Sequence, residues 1–118
     1  MTIISCSLIL LLGACSYDIL EELEKDNVCI TEDMKYSVDI TAIIQESCLS
    51  CHENGSTIGG GIVLDNYSDV RFWVESGSFL SVIQHADDFP PMPKNADKLS
   101  DCKINKIVSW IENGAPNN

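Results

Sequence analysis

Cys48-Leu49-Ser50-Cys51-His52 is the segment in which residue type and spacing most clearly specify a chemistry. Two thiols three positions apart project from one side of a helical turn, so both can add to the vinyl groups of a single haem. The adjoining imidazole is then turned toward the iron as its proximal ligand, the C-x-x-C-H pattern of c-type haem attachment. A zinc site would want a second pair of Cys or His at ligand spacing, and His85 is the other histidine on offer. A thiol–disulfide exchange site would sit at a strand-to-helix turn inside a βαβ pattern, which this sequence lacks. One covalent haem c is therefore the expected cofactor, bound by Cys48, Cys51 and His52.

The sixth iron ligand is expected downstream. Met92 stands in Pro90-Pro91-Met92-Pro93-Lys94. Prolines on both sides fix φ and bias their neighbours toward extended backbone, giving a stiff loop able to hold a weak thioether against iron. Gap filling is the commoner fate of a methionine, but the proline setting favours ligation here. His85 is the rival. A lone His at the end of a helical run is more often a hydrogen-bonded neighbour than a ligand, so Met92 is the expected partner of His52. Met34 lies in a charged stretch and is read as surface or tether.

These groups need short helices to position them. Asp39 can cap a helix whose Ile40, Ile43 and Ile44 form an i, i+3, i+4 stripe ending at Cys48. Gly55, Gly59, Gly60 and Gly61 make a loop that lets backbone pass close to a macrocycle. Tyr67 to Glu75 reads as a helix burying Val70, Trp73 and Val74, stopped near Gly77. Ser78 then caps a second short helix carrying Leu80, Val82 and Ile83. A closing helix starts near Ser100 or Asp101 and shows Ile104, Ile107, Val108 and Ile111 on one face, with Gly114 and Pro116 beyond its end. Trp73, Trp110 and Tyr67 belong to the core or haem pocket. Strand-like alternation is scarce. The expectation is an all-α domain of four to five short helices around one haem.

Residues 2–14 carry no charge and run apolar from Leu8 to Leu12, too short to span a bilayer but suited to the core of a signal peptide. Leu12-Gly13-Ala14-Cys15 resembles the lipobox of bacterial lipoproteins, with Cys15 as the lipid-bearing residue. Residues 16–33 then hold seven carboxylates against Lys25 alone, the composition of a solvated tether. The organisation read from this is a signal peptide at 1–14, an acidic tether with Cys29 at 15–36 and a haem domain at 37–118. In an oxidising compartment each cysteine needs a fate. Cys6 leaves with the signal, Cys15 takes lipid, Cys48 and Cys51 take haem, and Cys29 pairs with Cys102 in a disulfide tying the tether's end to the last helix.

The 118 residues carry 18 Asp+Glu against 7 Lys+Arg, a net charge of −11. That balance excludes a nucleic-acid binder, which needs a basic face, and electrostatic docking onto anionic lipid. Residues 94–106 depart from it, with Lys94, Lys98, Lys103 and Lys106 against Asp97 and Asp101. Such a segment could orient an acidic redox partner, or could be an ordinary solvated helix face.

The haem pentad after an amphipathic helix, the glycine loop, short helices, a proline-flanked Met and a closing helix together resemble a class I c-type cytochrome. Gly59-Gly60-Gly61-Ile62 with Leu64 and Tyr67, Pro91-Met92-Pro93-Lys94, Lys98-Leu99-Ser100-Asp101-Cys102 and Trp110-Ile111-Glu112-Asn113-Gly114-Ala115-Pro116 are similar in particular to the single-haem lipoprotein cytochromes of Bacteroidetes-type bacteria. The resemblance implies electron transfer between protein partners, with His52 proximal and Met92 distal, by an exported monomer lipid-anchored in the cell envelope. It implies a carrier rather than an enzyme, since outer-sphere transfer needs no general acid or base. The alternative is haem-based small-ligand binding or a peroxidase-like reaction at a displaceable distal ligand.

Overall fold

The computed structural model describes residues 28–118; the segment read as a signal peptide, Cys15 and the first part of the segment read as a tether lie outside the described residues. Five α-helices follow a single π-helical turn, and there is no strand among the described residues. The π turn spans Tyr36–Ile40 and runs directly into α1 (Thr41–Ser47). Then come α2 (Leu49–His52), α3 (Tyr67–Glu75), α4 (Ser78–Ile83) and α5 (Asp101–Glu112). No described helix is long and apolar enough to cross a membrane.

The first helical segment starts earlier than the sequence suggests. Asp39 is not its cap; it lies inside the π turn and its carboxylate accepts the Lys35 N–H at 2.8 Å. A short acid one turn inside a helix can reach back to an orphan N–H as well as cap from in front. Ile40, Ile43 and Ile44 are buried as the spacing predicts. The core also takes in Met34 and Tyr36, residues that composition places in the tether. Met34 is not a surface residue: it is 8 % exposed, because the chain just before the π turn lies against the core rather than in solvent.

The closing helix behaves as expected. Ser100 caps it by accepting the Lys103 N–H at 3.3 Å, Ile104, Ile107 and Trp110 are buried, and Gly114 ends it at φ +92°. The N-terminal segment and α5 pack through Tyr36, whose ring lies 5.6 Å from Trp110 and 5.0 Å, edge-on, from Tyr67 of α3. α3 has the boundaries read from the sequence, but its cap is Asn66, which accepts the Asp69 N–H at 3.0 Å. α4 does not begin with Ser78 as cap. Gly77 holds that place at φ +78°, a left-handed conformation in which a Cβ is strained, and the Ser76 hydroxyl takes the Ser78 N–H. Val70, Phe79 and Ile83 are buried, while Trp73, Val74, Leu80 and Val82 pack half-buried against them.

The chain after α5 is fastened rather than loose. Ala115 is buried, and its carbonyl accepts both the Tyr67 hydroxyl and the Arg71 guanidinium, at 2.8 and 2.9 Å. The Pro116 carbonyl accepts the Trp110 indole N–H at 3.0 Å. The buried Trp110 indole and the half-buried Tyr67 phenol thus find partners in the tail, and three helical segments close over one apolar core.

Candidate functional site

The pentad occupies one tight helical turn after a break in the first helix. Cys48 sits at φ −126°, ψ −42°, between α1 and α2. Its N–H continues α1 by bonding the Ile44 carbonyl at 2.8 Å, and its own carbonyl accepts from Cys51 at 3.1 Å and His52 at 3.0 Å. Cys51 therefore stands one turn from Cys48, with His52 following it at the helix end. All three side chains are half-buried.

Burial pushes the Cys48 thiol up to about 11, so it is protonated at neutral pH. Disulfide exchange needs a thiolate held in an electropositive setting, and Cys48 has the opposite environment.

His52 has its tautomer fixed by the backbone. Its Nδ1 lies 3.0 Å from the Ile62 carbonyl oxygen. A carbonyl only accepts, so Nδ1 carries the proton and donates, which leaves the Nε2 lone pair for a metal. Metal-ligating histidines are oriented in this way by a second hydrogen bond. Further bonds hold the same loop: Leu64 N–H donates to the His52 carbonyl at 2.8 Å, and Asn54 N–H to the Asp65 carboxylate at 2.9 Å. Leu64 itself is buried in the core.

Gly59 explains why this loop needs glycine. A Cβ there would stand 2.1 Å from the Cys51 carbonyl oxygen and 3.0 Å from His52 Nδ1. The close approach that the glycine run suggests is therefore made to the pentad itself. Neither the Ile62 carbonyl nor this contact was legible beforehand, since a backbone acceptor leaves no mark on residue type.

Met92 lies on a different part of the fold, in the loop after α4. It is half-buried, its N–H donates to the Val82 carbonyl at 3.0 Å, and the Met92–Pro93 bond is cis. His85 is its neighbour: Nε2 lies 3.0 Å from the Met92 carbonyl oxygen. No hydrogen bond joins the Met92 loop to the pentad turn among the described residues.

Cys29 and Cys102 lie with sulfurs at bonding distance and Cα atoms 5.5 Å apart, Cys102 in the first turn of α5. In the basic segment, Lys103 is engaged with Glu46 of α1 at 2.7 Å, while Lys94 and Lys98 are exposed. Lys103 thus braces α5 against α1 rather than facing outward with Lys94 and Lys98. Among the described residues, no three His, Cys, Asp or Glu side chains converge as a site for a metal ion. A haem iron draws four ligands from its macrocycle and asks the chain for two. Comparison with known proteins finds no family model, no curated protein and no solved structure that matches this chain.

Proposed function

We propose that the chain is a mono-haem c-type electron carrier, with haem c attached through Cys48 and Cys51 and ligated by His52 and Met92. The observation that carries the reading is the Nδ1–H of His52 donating to the Ile62 carbonyl, with two thiols on the same turn. An imidazole so held offers Nε2 at a fixed angle, and the half-buried thiols beside it are the groups that thioether formation consumes. Haem c, when bound, supplies a one-electron couple whose potential a Met ligand raises above that of a bis-His site. The chain's part is to orient the imidazole through the Ile62 carbonyl and to keep Met92 on a loop stiffened by Pro90, Pro91 and Pro93.

The rest of the reading follows from the sequence. The segment at 1–14 directs export, Cys15 carries lipid, and the acidic tether holds the domain off the membrane of a bacterial envelope. The partners are redox proteins, approached by a monomer, and no nucleic acid is involved. A peroxidase-like or ligand-binding role would require an open iron position.

The test is an intact mass with oxidised and reduced visible spectra, on protein matured with a haem-attachment system. One added haem, a sharp low-spin spectrum and the far-red band of Met–iron ligation are expected. Unmodified thiols at Cys48 and Cys51 would overturn the proposal, and rapid carbon monoxide binding would move it to the ligand-binding alternative.

A further inference from the structure

We infer that His85 is a positioning residue: its Nε2–H holds the Met92 carbonyl and, through it, the loop from which the thioether is presented. The inference rests on the reading of Met92 as an iron ligand. The acceptor at 3.0 Å is a carbonyl, so the proton must sit on His85 Nε2. His52 and His85 are thereby held as opposite tautomers, with Nε2 free on the first and engaged on the second. His85 could ligate through Nε2 only by giving up this bond.

The bond closes a clamp. The Val82 carbonyl accepts from both the His85 N–H at 3.3 Å and the Met92 N–H at 3.0 Å, while the His85 ring returns to the Met92 carbonyl. Both polar groups of the Met92 backbone are therefore tied to the end of α4. Pro91 and Pro93 restrict the peptides on either side. What remains free at Met92 is its side chain.

His85 also adopts φ +55°, where an L residue with a Cβ is disfavoured and Gly or Asn is the easier choice. Histidine enters this region more readily than most residues, and the bond to Met92 is a contact that holds it there. Met is a weak ligand, so its hold on iron depends on how seldom its loop opens. Loss of one ordinary hydrogen bond should let an outside ligand compete about fivefold to tenfold better.

The experiment uses the full matured chain with His85→Ala, His85→Gly and His85→Gln. The Ala and Gly variants should keep the haem content and the His52 Nδ1–H tautomer by NMR. They should weaken the far-red band, bind imidazole about fivefold to tenfold more tightly, and exchange the Met92 amide proton faster. His85→Gln, which restores an N–H donor of similar reach, should recover all three readouts. His85→Gly also relieves the backbone conformation, so it covers the case in which the Ala variant folds poorly. A Met-ligated wild type with variants indistinguishable from it would overturn this inference alone. A wild type that takes up no haem, or that keeps its low-spin spectrum in Met92→Ala and loses it in His85→Ala, would overturn the Met92 reading and the inference with it.

Discussion

The ring of His52 and the carbonyl of Ile62, ten residues apart, are joined by a 3.0 Å hydrogen bond that selects which imidazole nitrogen faces away from the loop. Gly59 sits between them in sequence and against both Cys51 and His52 in space. Its would-be Cβ meets backbone at 2.1 Å, an obstacle that no side-chain rotation relieves. Gly59→Ala should therefore displace the loop and cost roughly 1–3 kcal/mol, the usual scale of overpacking. It should also lower the yield of attached haem. Gly60→Ala is the control: nothing lies within 4 Å of its Cβ, and the cost is that of φ +63° alone, about 1 kcal/mol. Urea unfolding of the two variants, with haem yield by absorbance, checks the ordering. Equal effects would contradict it.

The Cys48 thiol supports a pH-dependent prediction for the chain before attachment. Its pKa is raised from the ordinary 9.0 to about 11, with burial as the cause. Below about pH 9 the folded and unfolded chains both keep this proton. Between about 9 and 11 the unfolded chain releases it and the folded chain does not, so stability falls as pH rises through that window. Cys48→Ala should flatten this dependence. Iodoacetamide should label Cys48 slowly near neutral pH and faster as pH rises toward 11, measured by peptide mass, and a rate that levels off near pH 9 would contradict the burial argument.

Cys29 and Cys102 are separated by 73 residues, and their Cα atoms lie 5.5 Å apart. Closing a loop of that length constrains the unfolded chain by about 4 kcal/mol in the chain-entropy model. Non-reducing peptide mapping should recover the two residues in one cross-linked peptide. Cys29→Ser should lower the urea midpoint without altering haem attachment, because neither sulfur belongs to the pentad. Free thiols at both positions in exported protein would remove the disulfide from this account.

Side-chain chemistry proved more legible than backbone geometry. The isoleucine stripes at Ile40, Ile43 and Ile44, and at Ile104 and Ile107, could be read from their period, and they are buried. Ser100, Gly77 and Gly114 were recognisable at helix boundaries because caps and stops draw on few residue types. Asp39, Ser78 and Met34 were misplaced, each for a local reason. An acid can serve a helix start from inside, a glycine can hold the cap position beside a serine, and a methionine among charged neighbours can still turn inward. The acceptors at Ile62, Val82 and Met92 were invisible, because every residue carries the same carbonyl. The pentad was legible as residues, whereas the His52 tautomer required coordinates.

Asn118 extends that lesson to the other end of the chain. Its side-chain oxygen accepts the Tyr36 N–H at 2.7 Å and its main-chain oxygen accepts the Ser37 N–H at 2.9 Å. Tyr36 and Ser37 open the helical segment that leads to Cys48, so their N–H groups have no partner within the helix. Lys35, at the cap position, makes no side-chain capping bond of its own. Asn118 therefore performs the capping function from 82 residues away. Asn118→Ala should cost about 1 kcal/mol, the typical value of a lost cap. Asn118→Asp should largely retain the bond, since a carboxylate also accepts and suits a helix N-terminus. Because that segment ends at the pentad, the Ala variant should also show faster amide exchange at residues 36–40 while leaving His52 bonded to Ile62. Unchanged exchange there would mean that the tail lies against the helix without holding it.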